Sequence, residues 1–247
     1  MKCPTHFAAV FLALSLPCCS SGQDAVAVPS PAIVPDGSVL ALGDSCYTIT
    51  AKQDGTEQPV GLVFQSVRRQ EVNSIEALAI IVHQQLSNGK FDMRDSLLLR
   101  RSDLRPIRLD TDRNGAPHVH LDYAAHRISG WKMVNGAKEP IDIALDGPVW
   151  DGNLWGVTFA ALPLKAGGDY RIPTYQYDSG KGAFLVTVKG ARKIDTPTGA
   201  VDAWVLEAGV KADERVEYLV GKNPPRDLGY LAGPMSQHMG GDCSNLH

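Results

Sequence analysis

Residues 38–50 read SVLALGDSCYTIT, and their reading decides between two folds. An apolar run ends in Gly43-Asp44-Ser45, as a strand does when it delivers a nucleophilic serine. A serine of that kind needs a helix directly after it, because helix N-terminal and backbone amides stabilise the oxyanion. The residues that follow are CYTITAKQDG, where Tyr47 and Ile49 alternate along another strand. Gly43-Asp44 is therefore read as a turn leading into a strand.

The same alternation extends outward along the chain. In PVGLVFQSVRR (59–69), Val60, Leu62 and Phe64 fall on one face. Val119, Leu121 and Tyr123 do so in HVHLDY (118–123), Phe184, Val186 and Val188 in AFLVTVK (183–189), and Val216, Tyr218 and Val220 in ERVEYLV (214–220). Period two over such runs means half-buried strands. Turn signals separate them: QDGTE, SNGK, DRNG, VNGAK, DSGKG, DTPTG and GKNPP. This is the pattern of an antiparallel meander joined by hairpins, not of strands crossed over by helices.

Two stretches carry helical features. SIEALAIIVHQQL (74–86) is β-branched at its centre and is expected as a long strand. In VWDGNLWGVTFAALPL (149–164), Trp150, Leu154, Val157 and Ala161 recur at three- and four-residue steps before Pro163, which predicts a helix over 149–162. One helix in a strand-rich chain is expected to lie across the concave side of the sheet. Trp150, Trp155 and Phe159 on it are the candidate ligand-binding residues, because a curved sheet and a covering helix enclose a pocket. Their other reading is packing against the sheet.

The chain has 247 residues, 44% hydrophobic and 21% charged, enough for one substantial domain. A formal net charge of -3 gives no electrostatic case for nucleic acid. Residues 90–113 hold seven Lys/Arg and five Asp, a mixed solvated face. Lys2 followed by FAAVFLALSL (7–16) and small residues reads as a secretory signal ending near Ala27. The expected organisation is a signal peptide over 1–27, a flexible leader over 28–37 and a single β-rich domain over 38–247. The expected localisation is the periplasm or the exterior, peripheral to the membrane at most. LPCC also resembles a lipoprotein box, which would make Cys18 or Cys19 a lipid anchor. After the signal, two of the five cysteines remain, Cys46 and Cys243. In an oxidising compartment they either pair or stay as two thiols.

Three further motifs suggest chemistry. The Gly-Asp-Ser run resembles the first block of GDSL (SGNH) esterases, whose base and orienting acid come from an Asp-x-x-His. Here the chain closes on GGDCSNLH, with four residues between Asp242 and His247. HVHLD (118–122) resembles the zinc box of metallo-β-lactamase-fold hydrolases. Position 123 is Tyr where that box has His, and on a strand His118, His120 and Asp122 are the polar face. DTDRNG (110–115) begins like an EF-hand loop, but the twelfth position is Leu121. Asn114-Gly115 is expected as a hairpin turn.

DSLLLRRSDLRPIRLDTDRNG (95–115), LPLKAGGDYRIPTY (162–175) and VTVKGARKIDTPTGAVDAWVLEA (186–208) resemble exported bacterial proteins of the domain-of-unknown-function 3108 family, over about residues 45–232. The resemblance implies a curved antiparallel half-barrel or β-roll, similar to periplasmic lipoprotein carriers, and no catalytic residues. The fold class expected is mainly β, with a curved antiparallel sheet and one covering helix. The function expected is non-enzymatic binding of an apolar ligand, a lipid, an acyl chain or a lipoprotein anchor. No metal, cofactor or catalytic residue is assigned. The alternatives are a hydrolase using Ser45 or the His118 cluster, and a structural partner of other envelope proteins.

Overall fold

The computed structural model describes residues 33–87 and 89–247. The expected signal segment, Cys18, Cys19 and residues 28–32 of the leader lie outside them. Residues 33–37, expected in the leader, pack on the domain: Ile33 lies against the core, and the Asp36 N–H donates to the Ala161 carbonyl at 2.8 Å.

The first strands are β1 (Gly43–Gln53), β2 (Thr56–Val72), β3 (Ile75–Leu86) and β4 (Phe91–Arg100). β5 (Pro106–Arg113), β6 (Ala116–Ala124), β7 (Arg127–Val134) and β8 (Ala137–Ala144) follow. After a two-residue β9 (Trp150–Asp151) comes the helix α1 (Trp155–Ala160). The chain then forms β10 (Asp169–Gln176), β11 (Gly180–Thr196), β12 (Gly199–Gly209), β13 (Arg215–Lys222), β14 (Pro225–Ala232) and β15 (Met235–Met239). Among the described residues these fifteen strands make one sheet, with β8 and β9 at its open edges. Neighbours in sequence are neighbours in the sheet except β8 and β9, and the one pairing of strands distant in sequence is β1 with β15, Tyr47 opposite Met239. The stretch read as a long strand forms β3 from Ile75 to Leu86, with Ser74 in the turn before it, and Asn114-Gly115 turns from β5 to β6 with φ of +51° and +75°.

The sheet curls because one of its faces is apolar and has only itself to cover it. β-Bulges between Leu98 and Leu99, Thr111 and Asp112, Val188 and Gly190, and Leu219 and Val220 supply the bend. Leu78, Ile80, Leu99, Leu109, Leu121 and Ile128 from one half meet Ile172, Phe184, Val186 and Leu206 from the other in one buried cluster. Side chains, not ladder bonds, span the open seam. The Tyr123 hydroxyl donates to Asp151 at 3.0 Å, Lys132 Nζ to the Tyr177 carbonyl at 3.1 Å, and Trp150 Nε1 to the Asp103 carbonyl at 2.8 Å.

The helix is shorter than its periodicity predicts: it covers Trp155–Ala160, six residues, not 149–162. Two local bonds hold 150–153 out of it. Trp150 and Asp151 pair in parallel with Thr174 and Tyr175, and the Asp151 carboxylate accepts the Asn153 N–H at 2.8 Å, an Asx turn. The three- and four-residue spacing still describes burial, since Trp150, Leu154, Val157 and Ala161 are all in the core. α1 packs on β13 and β14 inside the curve.

The outer face is covered in two places. Of the apolar residues assigned to one face of β2, Val60 packs with Ile49 and Val63. Leu62 and Phe64 instead meet the segment 240–247, because a bulge between Ile49 and Thr50 shifts the pairing of β1 with β2. That segment is tied down by the Cys46–Cys243 disulfide and by the Gly240 N–H bonding the Cys46 carbonyl at 2.7 Å. His83 Nδ1 and Arg94 Nε reach the His247 main-chain oxygen at 3.2 and 2.8 Å. The long β11–β12 hairpin covers a second outer cluster of Ala203, Val205, Leu219 and Leu228, and its Pro197 reaches Gly240.

The disulfide closes a loop with a sequence separation of 197. In the chain-entropy account, a loop of that size contributes about 5 kcal/mol through the unfolded state. Cys46→Ala/Cys243→Ala is therefore expected to move the urea midpoint down by several kcal/mol equivalent while leaving the far-ultraviolet β signal intact. A midpoint unchanged by the double substitution would show that the strap is redundant with the β1–β15 ladder.

Candidate functional site

The interior is not filled everywhere. Where β2, β3, β13, β14 and β15 meet α1, a cavity of about 290 Å³ is lined by Val63, Gln65, Val82, Gln84, Asn153, Leu154, Trp155, Gly156, Tyr218, Asp227, Tyr230 and Gln237. Alternation, with a register shift in β14 after Asp227, turns these positions inward, and amides and one carboxyl stand among them in place of aliphatic residues.

One wall is aromatic. Trp155 stacks on Tyr218 with ring centroids 5.8 Å apart and planes 17° apart, and Tyr230 continues the wall 5.4 Å from Tyr218. Phe159 backs it edge-on against Tyr218, and Phe184 lies tilted against Trp155. Of the three aromatic residues proposed from sequence, only Trp155 lines the cavity. Phe159 is fully buried behind it, and Trp150 is 2% exposed and faces the seam. Both are core residues, because β9 and the Asx turn carry Trp150 away from α1. The Trp155 indole is fixed by its Nε1–H donating to the Gly152 carbonyl at 3.0 Å. Asn153 Oδ1 accepts from Gln176 Nε2 at 3.2 Å, which leaves its buried Nδ2 without a partner.

The residue that sequence reasoning missed is Asp227. It sits on β14 facing inward, with 6% of its surface exposed. Its Oδ1 accepts the Gly229 N–H at 2.9 Å, and its carbonyl accepts the Tyr47 hydroxyl at 3.1 Å. One glycine makes room for its carboxyl, and a second lets the next residues of β14 approach β15. A Cβ at Gly156 would lie 2.1 Å from the Asp227 carboxyl. Gly229 has a φ of +103°, and its Cβ would lie 1.9 Å from the Gln237 carbonyl oxygen. Burial pushes the Asp227 carboxyl up to about 6, opposed only by the N–H groups of Gly229 and Leu228. Burial, then the charge of Asp227, holds the hydroxyls of Tyr47 and Tyr218 well above the usual tyrosine range.

The other candidates fall elsewhere. Ser45 lines a smaller hollow of about 80 Å³ beside Asp227, with Gln65 and Arg226, and no histidine is in that lining. His120 is clasped by carboxylates, Nδ1 2.6 Å from Asp110 and Nε2 3.3 Å from Asp122, and Asp122 also pairs with Arg108. His118 stands edge-on to Tyr177, its pKa lowered by burial and by Arg113. Among the described residues no three His, Cys, Asp or Glu side chains are grouped to hold a metal ion. A third hollow, about 260 Å³, lies beside Val149 and Leu145 with Arg100 and Arg105 at its rim, and Asp103 pairs with both arginines.

Two more carboxyls are buried, Asp95 on β4 and Asp151 on β9. Asp95 accepts the Thr111 hydroxyl at 2.6 Å and Asp151 the Tyr123 hydroxyl at 3.0 Å. Burial is the main cause that raises Asp95 to about 7 and Asp151 to about 6. Since the unfolded value is about 3.9, the folded protein binds the extra protons between about pH 4 and pH 7. Stability is therefore highest at the acid end of that window and falls as pH rises through it. Urea unfolding is expected to give a higher midpoint at about pH 5 than at about pH 8. Asp95→Asn, which keeps an acceptor for Thr111, should stabilise by roughly 2 kcal/mol or more at pH 8 and flatten the profile. A profile that rises with pH, or an Asp95→Asn variant weaker at pH 8, would contradict the burial account.

No curated protein matches the sequence. Among solved structures the chain is similar to a β-barrel-like protein of domain of unknown function DUF1849 from Brucella abortus. That match has 10% identity and a TM-score of 0.47, covering 84% of this chain and 95% of that one. Residues 46–230 match the family described as "Protein of unknown function (DUF3108)", the stretch that carries the sheet from the fourth residue of β1 to the aromatic wall on β14. The chain belongs to the DUF3108 family.

Proposed function

We propose that the chain is an exported, non-enzymatic binding protein that holds a small amphipathic molecule in the cavity between α1 and the strands β2, β3 and β13–β15. The observation that carries this reading is the lining. An aromatic wall of Trp155, Tyr218 and Tyr230 faces amides and a carboxyl around one hollow. Ligand sites combine apolar walls with a few placed polar groups in this way. Size narrows the class. A hollow of about 290 Å³ is at the lower end of the 300–1,000 Å³ usual for small-molecule sites. It suits a single short acyl chain or small ring, and is too small for a whole two-chain lipid. Export is supported by the apolar N-terminal run and by a disulfide, which persists in oxidising compartments.

Native mass spectrometry of the protein purified from a periplasmic extract is expected to find a small co-purified molecule. Added decanol should quench or shift the tryptophan emission of the emptied protein. In Trp155→Phe, which keeps an aromatic ring against Tyr218, that response should vanish while the unfolding midpoint changes little. A decanol response that survives in Trp155→Phe would move the site away from this cavity, and no response in the native chain would remove the binding reading.

A further inference from the structure

We propose that the occupant of this cavity carries a protonated amine and that Asp227 is its counter-charge. The inference rests on the binding reading above and specifies the chemistry of the ligand's head.

The argument starts from what a buried carboxylate needs. Charged groups taken from water are paired or else neutralise. Asp95 and Asp151 each receive a side-chain hydroxyl, from Thr111 and Tyr123. Asp227 differs. The groups that offset its burial are two backbone N–H groups, and among the described residues no lysine, arginine or histidine forms an ion pair with it. It is also the acidic residue that lines the aromatic cavity. An open carboxyl beside a wall of electron-rich rings is a receptor for a cation. The ring faces attract it through their quadrupoles, and the carboxylate supplies the charge. An ammonium has three donors and no acceptor. Asp227 takes one, and the hydroxyls of Tyr218 and Tyr230 stand on the same wall. The chain of the amine then lies over Trp155, Val63 and Val82. A carboxylate head in that place would set two like charges together in a low dielectric.

The groups that line the cavity with Asp227 leave it as the negative charge there once it is ionised, above about pH 6. β1 presents Tyr47, β13 Tyr218 and β14 Tyr230, all with pKa values raised above 10 and hence neutral. β2 and β15 present Gln65 and Gln237, and α1 presents Gly156, which has no side chain. Asp227 also lines the smaller hollow, together with the charged Arg226 and Asp44.

Calorimetric titration at about pH 8 with decylamine, decanol and decanoate tests the proposal with the full exported chain. Decylamine is expected to bind roughly tenfold or more tightly than decanol, as a charge-assisted hydrogen bond allows, and decanoate least tightly. Asp227→Asn should bring decylamine to the level of decanol, and its far-ultraviolet β signal and urea midpoint report that the variant folds. A response to decylamine and to phosphatidylethanolamine vesicles alike assigns a lipid head group, and a response to decylamine alone assigns a free amine. Equal binding of all three soluble probes, or a preference for decylamine that persists in Asp227→Asn, overturns the amine assignment while the cavity stands as a binding site. No binding by any of the three overturns both.

Discussion

The pairing of β1 with β15 is the constraint on which the rest of this molecule depends. Each other strand of the sheet pairs with its neighbour in sequence, so β1–β8 and β9–β15 are two meanders that need nothing from one another to form their own ladders. The five residue pairs from Tyr47–Met239 to Ala51–Met235 fuse them. Fusing brings β2 and β3 to one side of the cavity and β13–β15 to the other. Closing a chain over nearly its whole length costs loop entropy, though that cost grows only slowly with length. The disulfide beside the pair and the Tyr47 hydroxyl on the Asp227 carbonyl offset part of it.

Once fused, the sheet is long enough to roll onto its own apolar face, and the seam between β8 and β9 stays open. Side chains close it, with Tyr123 on Asp151 and Lys132 on the Tyr177 carbonyl. α1 fills the middle of the roll. A helix of six residues is far below the length that is stable alone, so it exists because five of its residues are buried. It does not fill the whole space. Its N-terminal turn meets Asp227 through Gly156, where a side chain would collide with the carboxyl, and beside that contact the cavity remains.

The interior thus holds three carboxyls in a core that would be more stable without them. Asp95 and Asp151 belong to hydroxyl pairs that cross between strands, Asp95 to Thr111 on the adjacent β5 and Asp151 to Tyr123 across the seam. Asp227 makes no such pair. Its turn with Gly229 orients it, and the residues opposite it are rings and amides. A buried ionisable group that is held by backbone N–H groups and lines a cavity is where function is often found.

The sequence by itself determined the class of this protein and most of its strands. Period-two alternation in 118–123, 183–189 and 214–220 placed Val119, Leu121, Phe184, Val186 and Tyr218 in the core, and Asn-Gly and Asp-Gly pairs placed the hairpins, because both signals are local. Strand reading after Ser45 was local too, and it removed the helix a nucleophile needs. What tertiary structure decided was everything set by partners far along the chain. The spacing of Trp150, Leu154, Val157 and Ala161 records burial, and only the pairing of Trp150 with Thr174 and the Asx turn at Asp151 cut the helix to Trp155–Ala160. Leu62 and Phe64 are covered from outside by the 240–247 segment, a contact no alternation pattern contains. Asp227 is one acidic residue in a PRDLGY run, and nothing local marks it. Its meaning comes from Gly156, Tyr218 and Gln65, which are brought to it from other strands and from α1. Local backbone preference is written in neighbouring residues, whereas the environment of a buried charge is made by residues that meet only when the sheet has closed.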